Sequence, residues 1–249
     1  MNTIFDCGIK FNPITANEVL DFVNHWGKEG KKGIQITGVN IEQIALLEKN
    51  NEFASYINNS DIVNIDGTIV YLFLKLKGYK IKQKTLCADI LYKFLHDANE
   101  KRDSIYLLGA TQDTIEKVVE NIHKQFPNII IAGYNNGYFK DEKPIVEDIK
   151  NRNPKYVFLG MPSPMKERFI TKNKANLNAV VCFGVGGMFD IIAGKASRAP
   201  KWIQYFGFEW LYRITQNPIG HTKRIGRALF PCLKVFLKNL FKRKSQIMN

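Results

Sequence analysis

Several features are scarce or missing in this chain of 249 residues, and each absence closes off a class of protein. The four cysteines, Cys7, Cys87, Cys182 and Cys232, are scattered and form no CxxC pair. That pattern points to a reducing compartment and argues against both a disulfide framework and a zinc site. The four histidines, His25, His96, His123 and His221, share no metal-ligand spacing, and no Ser-His-Asp or Cys-His pairing stands out. No uncharged apolar stretch reaches the ~18 residues of a transmembrane helix. The start, Met1-Asn2-Thr3-Ile4-Phe5-Asp6, has neither the basic opening nor the long apolar run of a signal peptide. The expectation is a cytoplasmic protein, peripheral to a membrane. There is no internal repeat, no low-complexity linker and no GxGxxG after a first strand, which weakens a nicotinamide or flavin reading.

Acidic residues are nearly absent from the end of the chain. From Arg198 to Asn249 there are eleven Lys/Arg and one acid, Glu209, so this segment holds +10 of the net +13. A basic tail of this kind suits anionic lipid, nucleic acid or phosphate. The composition shift near Arg198 is the one boundary candidate, dividing a core of residues 1–197 from an appendage of residues 198–249.

What the chain does have is alternation. The pattern predicts strands at Gly33–Thr37, Ile62–Ile65, Ser104–Leu108, Asn128–Ala132, Tyr156–Leu159 and Val180–Phe183. It predicts helices at Ile41–Lys49, Thr68–Lys77, Asp89–Glu100, Thr111–Phe126, Pro144–Arg152 and Lys166–Asn176. Short strands separated by helices make an α/β fold, a parallel sheet with helices on both faces. Ligands of such sheets bind at the carboxyl ends of the strands. Thr37, Asp66, Gly109, Gly137, Gly160 and Gly184 stand at or just after such ends.

Asp66 follows the apolar Ile62-Val63-Asn64-Ile65 and precedes Gly67. A carboxylate there is placed to act as a general base or to bind ribose hydroxyls or a metal. A plain turn aspartate is the competing reading. Gly184-Val185-Gly186-Gly187 resembles a phosphate-binding turn, since glycines let backbone N–H groups approach an anion. A tight strand-to-helix turn explains it equally. Asp190, just beyond, is placed to accept hydrogen bonds from a uracil or ribose. The stiff loop Gly160-Met161-Pro162-Ser163-Pro164 leads into Lys166 and Glu167, either a phosphate contact or a solvated helix-start pair.

In the tail, Leu229, Phe230, Leu233, Phe236, Leu237, Leu240 and Phe241 share one predicted helical face. Lys234, Lys238 and Lys242 recur on the other, and Lys242-Arg243-Lys244 adds a basic cluster. This is the pattern of an interfacial helix. The competing reading is a helix packed on the protein's own core. Pro231 is expected in the first turn.

With these residues in view, the chain resembles the WecG/TagA/CpsF glycosyltransferase family from about Thr37 to about Arg227. The likeness rests on Thr37-Gly38-Val39-Asn40, Asn64-Ile65-Asp66-Gly67, Leu107-Leu108-Gly109-Ala110, Phe126-Pro127-Asn128 and Gly133 through Gly137-Tyr138-Phe139. It continues in Gly160-Met161-Pro162 through Glu167, Gly184 through Asp190, Ala193-Gly194, Arg198-Ala199-Pro200 and Glu209-Trp210-Leu211-Tyr212-Arg213. The order and spacing make loose motifs specific. The resemblance implies a Rossmann-like core and an inverting, metal-independent transferase without a cofactor. Its donor would be a UDP-sugar, with N-acetylmannosamine, its uronic acid or a related hexose. Its acceptor would be a polyprenyl-diphosphate-linked saccharide for teichoic acid or another cell-surface polysaccharide, with the appendage completing the site on the inner face of the plasma membrane.

Carried over by position, Asp66 becomes the base, while Thr37, Asn40, Gly67, Gly109, Gly137, Tyr138, Lys166, Glu167, Gly184, Gly186, Gly187 and Asp190 become donor-side residues. Lys84, Arg198, Arg213 and Arg224 fall to the acceptor and its diphosphate. The chain departs from the pattern at Lys166 (usually Gln), Lys84 (usually Arg), Cys87 (usually Gly) and Gly220 (usually Arg), so the sugar is less defined than the reaction. An anionic membrane surface is the expected partner, nucleic acid is not, and a homo-oligomer is left open. The rival readings are a nucleotide-dependent oxidoreductase on a doubly wound sheet and a non-catalytic module binding membrane or RNA through the tail.

Overall fold

The computed structural model describes residues 1–50, 52–240, 242 and 245–248. In chain order the elements begin with β1 (Asn2–Asp6), β2 (Ile9–Phe11), α1 (Ala16–Lys28), β3 (Ile34–Val39), α2 (Ile41–Leu47), α3 (Phe53–Asn58), β4 (Ile62–Ile65) and α4 (Thr68–Leu76). They continue with α5 (Cys87–Lys101), β5 (Ser104–Gly109), α6 (Gln112–Gln125), β6 (Ile130–Asn135), α7 (Lys143–Arg152), β7 (Tyr156–Gly160), α8 (Met165–Asn173) and β8 (Val181–Gly184). The last are α9 (Met188–Ile192), α10 (Lys201–Phe206), α11 (Glu209–Gln216), α12 (Pro218–Leu240) and β9 (Ser245–Met248).

Six strands form one parallel sheet in the order β4-β3-β8-β7-β5-β6, which is the expected architecture. Period-two alternation sends neighbouring side chains to opposite faces. Ile105 and Leu107, Tyr156 and Phe158, and Val181 and Phe183 enter a core roofed by α1, α5 and α6. Tyr106 and Leu108, Val157 and Leu159, and Cys182 enter a second core with Ile145 and Ile149 of α7 and Phe169 and Ile170 of α8. With both faces covered, these strands read as continuous apolar runs, and that is why the sequence exposed them. The edge strand β6 differs. Its Ile130 is exposed, and a register shift beside Ile105 displaces the pairing. The strand accordingly lies at Ile130–Asn135, later than its apolar residues suggest.

The first thirty residues add a hairpin and a helix that the pattern reading did not assign. β1 and β2 join across Cys7 and Gly8, both at positive φ, and α1 starts at a Thr15–Glu18 capping box. Asp6 at the end of β1 is buried against Lys77, with Nζ–Oδ2 at 2.5 Å, and accepts a second bond from Tyr79 at 2.9 Å. Lys77 also donates to the Asn239 carbonyl of α12 at 2.7 Å. One buried ion pair thus ties the N-terminal hairpin, the end of α4 and the tail helix together.

The tail helix is longer than expected. It begins at Pro218, so Pro231 sits in its interior rather than in its first turn. The apolar face is split in two. Phe236 turns inward with Ala228, Cys232 and Val235, and its ring stacks on Phe73 at 3.8 Å. Leu229, Phe230, Leu233, Leu237 and Leu240 stay exposed. Lys234 and Lys238 lean on Glu48, just past α2, at 2.5 and 3.0 Å. Phe241, Arg243 and Lys244 lie outside the described residues. β9 then pairs antiparallel with β1, so elements on either side of Arg198 contact each other extensively. Among the described residues no helix is long and apolar enough to cross a membrane.

Candidate active site

The carboxyl ends of four strands of the central sheet converge on one cavity of about 720 Å³, with Gly160 closing β7 and Gly184 closing β8 on its wall. That volume is within the ordinary range for small-ligand sites. Its wall is built from the ends of β3, β4, β7 and β8 and closed on the far side by α11 and α12.

At the end of β4, Asp66 is half-buried and held from two sides. Oδ1 accepts from the Cys87 backbone N–H at 2.9 Å, at the start of α5. Oδ2 accepts from Asn40 Nδ2 at 3.4 Å. Asn40 is itself fixed as the cap of α2, where its Oδ1 takes the Glu42 N–H at 2.9 Å. The carboxylate therefore has a defined direction and keeps free lone pairs toward the cavity. Gly67 follows at φ 135°, a conformation closed to other residues, and lets α4 start immediately behind it.

The Gly184–Gly187 turn lies across the floor. Gly186 has φ 54°, and a Cβ added at Gly186 or Gly187 would meet nothing within 4 Å, so both backbones face open space. Gly184 has a different job. A side chain there would overlap the stem of Lys166, which crosses it to reach Glu167 Oε1 at 2.6 Å. Ser163 also donates to that oxygen, at 2.7 Å, and accepts from Gln43 at 2.7 Å. Lys166 Nζ contacts the same hydroxyl. Lys166 and Glu167 are thus a buried network rather than a solvated pair, and Glu167 Oε2 has no hydrogen-bond partner among the described residues.

The structure gathers Asn40, Asp66, Gly67, Tyr138, Lys166, Gly184, Gly186, Gly187, Asp190, Arg198, Arg213 and Arg224 on the cavity wall. Other sequence candidates stand behind it. Thr37 is buried in β3, its hydroxyl 2.8 Å from that of Ser60. Gly109, at φ 140°, allows β5 to press against Gly160, and Gly137 packs on Gly109. Glu167 supports Lys166, as described. Lys84 donates to Thr68 Oγ1 at 2.8 Å and to the Gln204 carbonyl at 3.2 Å. Arg224 pairs with Glu42, while Arg198 pairs with Asp89 at 2.8 Å.

Residues that pattern reading did not assign also line the cavity, among them Glu42, Cys87, Glu209, Trp210 and His221. Burial, with Arg224 and Arg213 nearby, lowers the His221 pKa below the usual value. Burial pushes the Cys87 thiol well up, with Asp66 beside it adding to the effect, so this cysteine is a neutral thiol rather than a nucleophile. Burial likewise raises Glu209, against the pull of Lys84 and Arg198. His221 and Glu209 carry no spacing signal, because the turns that bring them here are tertiary.

A parallel α/β sheet with a carboxylate, a glycine turn and a rim of arginines at its carboxyl edge carries the groups with which such sheets hold anionic ligands. The chain belongs to the glycosyl transferase WecG/TagA/CpsF family, whose sequence profile matches residues 4–246. It is therefore a glycosyltransferase. It is 31% identical over 209 residues to an N-acetylglucosaminyldiphosphoundecaprenol N-acetyl-beta-D-mannosaminyltransferase of Bacillus subtilis strain 168, covering 83% of this chain and 82% of that one. It is 30% identical over 205 residues to the enzyme of the same name from Bacillus spizizenii, covering 81% and 80%. A Staphylococcus aureus MW2 protein, again of that name, is 26% identical over 242 residues, covering 96% and 92%.

Proposed function

We propose that the protein transfers an N-acetylmannosamine-type sugar from a UDP-sugar to a saccharide carried on a polyprenyl diphosphate, with inversion at the anomeric carbon. The relatives' names describe this acceptor class and this sugar for those proteins. The observation that carries the reading for this chain is Asp66, a fixed carboxylate on the wall of the same cavity as the Gly184–Gly187 turn.

In a single displacement, Asp66 takes the proton from the acceptor hydroxyl as that oxygen bonds to the sugar's anomeric carbon. The bond from that carbon to the UDP phosphate oxygen breaks, and its electron pair leaves with UDP. The growing negative charge is met by the backbone amide of Gly187 and by arginines reaching in from α11 and α12. In this reading these groups do the work of a divalent ion. Asp190, on the same wall, serves the nucleoside.

The exposed side of α12 supports docking on an anionic membrane. Leu229, Phe230, Leu233 and Leu237 are each at least half exposed, and Leu72 and Leu76 of α4 are also exposed. The two helices meet through Phe73 and Phe236. An apolar surface beside basic side chains suits the headgroup boundary and a lipid-borne acceptor. Product of this kind serves teichoic acid or a related surface polysaccharide.

The test is a panel of UDP-sugars offered to the full-length protein with a short-chain lipid-diphosphate N-acetylglucosamine acceptor, with and without EDTA. The expected result is transfer from UDP-N-acetylmannosamine with inverted configuration, unchanged by EDTA. Transfer only from another nucleotide's sugar, or activity restored only by magnesium or manganese, would overturn the donor or the metal-free part.

A further inference from the structure

Glu209 is the only acid between Arg198 and Asn249, and it opens α11 facing the cavity. Three cations act on it electrostatically, two of them, Arg198 and Arg213, from the same cavity wall. Lys84 comes from the segment before α5, Arg198 from the segment before α10, and Arg213 from the next turn of α11 itself. Asp66 approaches from the end of β4, while His221 and Arg224 of α12 share the wall. Arg198 is shared with Asp89 of α5, which is itself half-exposed.

The arrangement is a charge cluster held apart. None of the three cations closes to salt-bridge contact with Glu209, and among the described residues its carboxylate accepts no hydrogen bond. Lys84 spends its protons on two neutral oxygens, and Arg213 has no carboxylate in contact among the described residues. A carboxylate that could pair with three neighbours and touches none of them leaves space between the charges. A ligand bringing two phosphates matches those cations in sign, but it would meet the Glu209 charge head-on. Two anions in one partly desolvated site raise each other's basicity, and the weaker acid takes the proton.

Resting on the transferase reading of this cleft, we propose that Glu209 is the proton-linked counterion of a diphosphate site. It offsets the charge of Lys84, Arg198 and Arg213 while the site is empty and takes up one proton from solvent when a diphosphate settles against the two arginines on the cavity wall. The one bond formed is the carboxyl O–H of Glu209, with the proton drawn from solvent and buffer. The partial burial that already raises this carboxyl acts in the same direction as an incoming diphosphate. The sign follows directly. Affinity for the diphosphate is full below the pKa of the empty state and falls as pH rises above it, by at most about tenfold per unit for one linked proton. The site is therefore a binder that tightens on acidification and lets go on alkalinisation.

Both UDP and the lipid acceptor contain a diphosphate, so the test has two arms. The full-length protein is titrated calorimetrically with UDP and, separately, with farnesyl diphosphate, at pH 6 and pH 8, in buffers of different ionisation enthalpy. Wild type is expected to take up protons in at least one arm, and that arm identifies the source. Glu209→Gln, a permanent mimic of the protonated state, should lose that extra uptake and bind at pH 8 several-fold more tightly than wild type. The ligand's own protons are common to both proteins and cancel in the difference. Glu209→Asp should retain the uptake, which separates charge from mere folding. Weaker binding by Glu209→Gln with unchanged uptake in both arms would overturn the proposal, leaving Glu209 as a ligand-holding or structural residue. Wild type that binds neither probe would instead remove the transferase reading beneath it.

Discussion

Asp66 was legible because local sequence fixes its position. An apolar strand ends, a carboxylate follows, and Gly67 lets the next helix begin at once. Asp66→Asn keeps the shape and the one acceptor that the Cys87 N–H needs and gives up only the long Asn40 bond, so fold and UDP binding should persist while turnover falls ~100- to 10,000-fold, the range for a lost general base. Near-normal turnover in single-turnover kinetics would remove Asp66 from the mechanism. Its neighbour Gly38 sets a second test. A Cβ at Gly38 would collide with Cys87 Sγ and lie 3.0 Å from Asp66 Cβ. Gly38→Ala should therefore displace the carboxylate and lower kcat with little change in melting temperature. Adding Cys87→Gly, which empties the space the new methyl needs, should restore most of the loss. A Gly38→Ala enzyme that the second change cannot rescue would mean the sulfur is not what holds Gly38 small. Thr37 shows where residue-level reading stops. It sits one step from the cavity in sequence, but strand alternation turns its hydroxyl to Ser60. Glu209 shows the converse, since only the path of α11 puts it opposite Asp66.

At the scale of elements, the parallel strands and their helices were readable from periodicity, because burial on both faces leaves nearly unbroken apolar runs. The tail helix was readable as amphipathic but not as two-sided. Periodicity cannot tell an apolar residue packed on Phe73 from one facing outward, and Phe236 and Leu237 are adjacent in sequence with opposite fates. This changes how membrane docking is best tested. Deleting α12 from Leu229 onward would strip Cys232, Val235 and Phe236 from the core, and a Phe loss alone costs ~3–5 kcal/mol. Lost activity would then report unfolding. Phe230→Ser with Leu233→Gln and Leu237→Gln alters exposed positions only. That variant should melt within a few degrees of wild type and sediment far less with anionic vesicles. Its activity on long-chain acceptors should drop more than on short soluble ones. Equal sedimentation of variant and wild type would show that this stripe is not a membrane surface.

For the molecule as a whole, charge asymmetry marked a boundary at Arg198 that the three-dimensional contacts straddle. α12 lies along α2, Lys77 reaches Asn239, and β9 extends the sheet of β1. Composition reports where basic residues accumulate, whereas packing is decided by the few apolar residues between them. The sheet order has a consequence for how the protein is made. β3 finds its partners on one side in β4, close in sequence, but on the other side only in β8, where Ile34 meets Val181 and Ile36 meets Phe183. β8 is also what joins β3 and β4 to the β7-β5-β6 half. While a ribosome is still translating the intervening segment, the nascent chain therefore carries two half-sheets, each with a long apolar edge and nothing to pair with. Such edges are slow to close and prone to associate with other chains. Elongation up to β8 is therefore the stage at which this chain is expected to need protection from association.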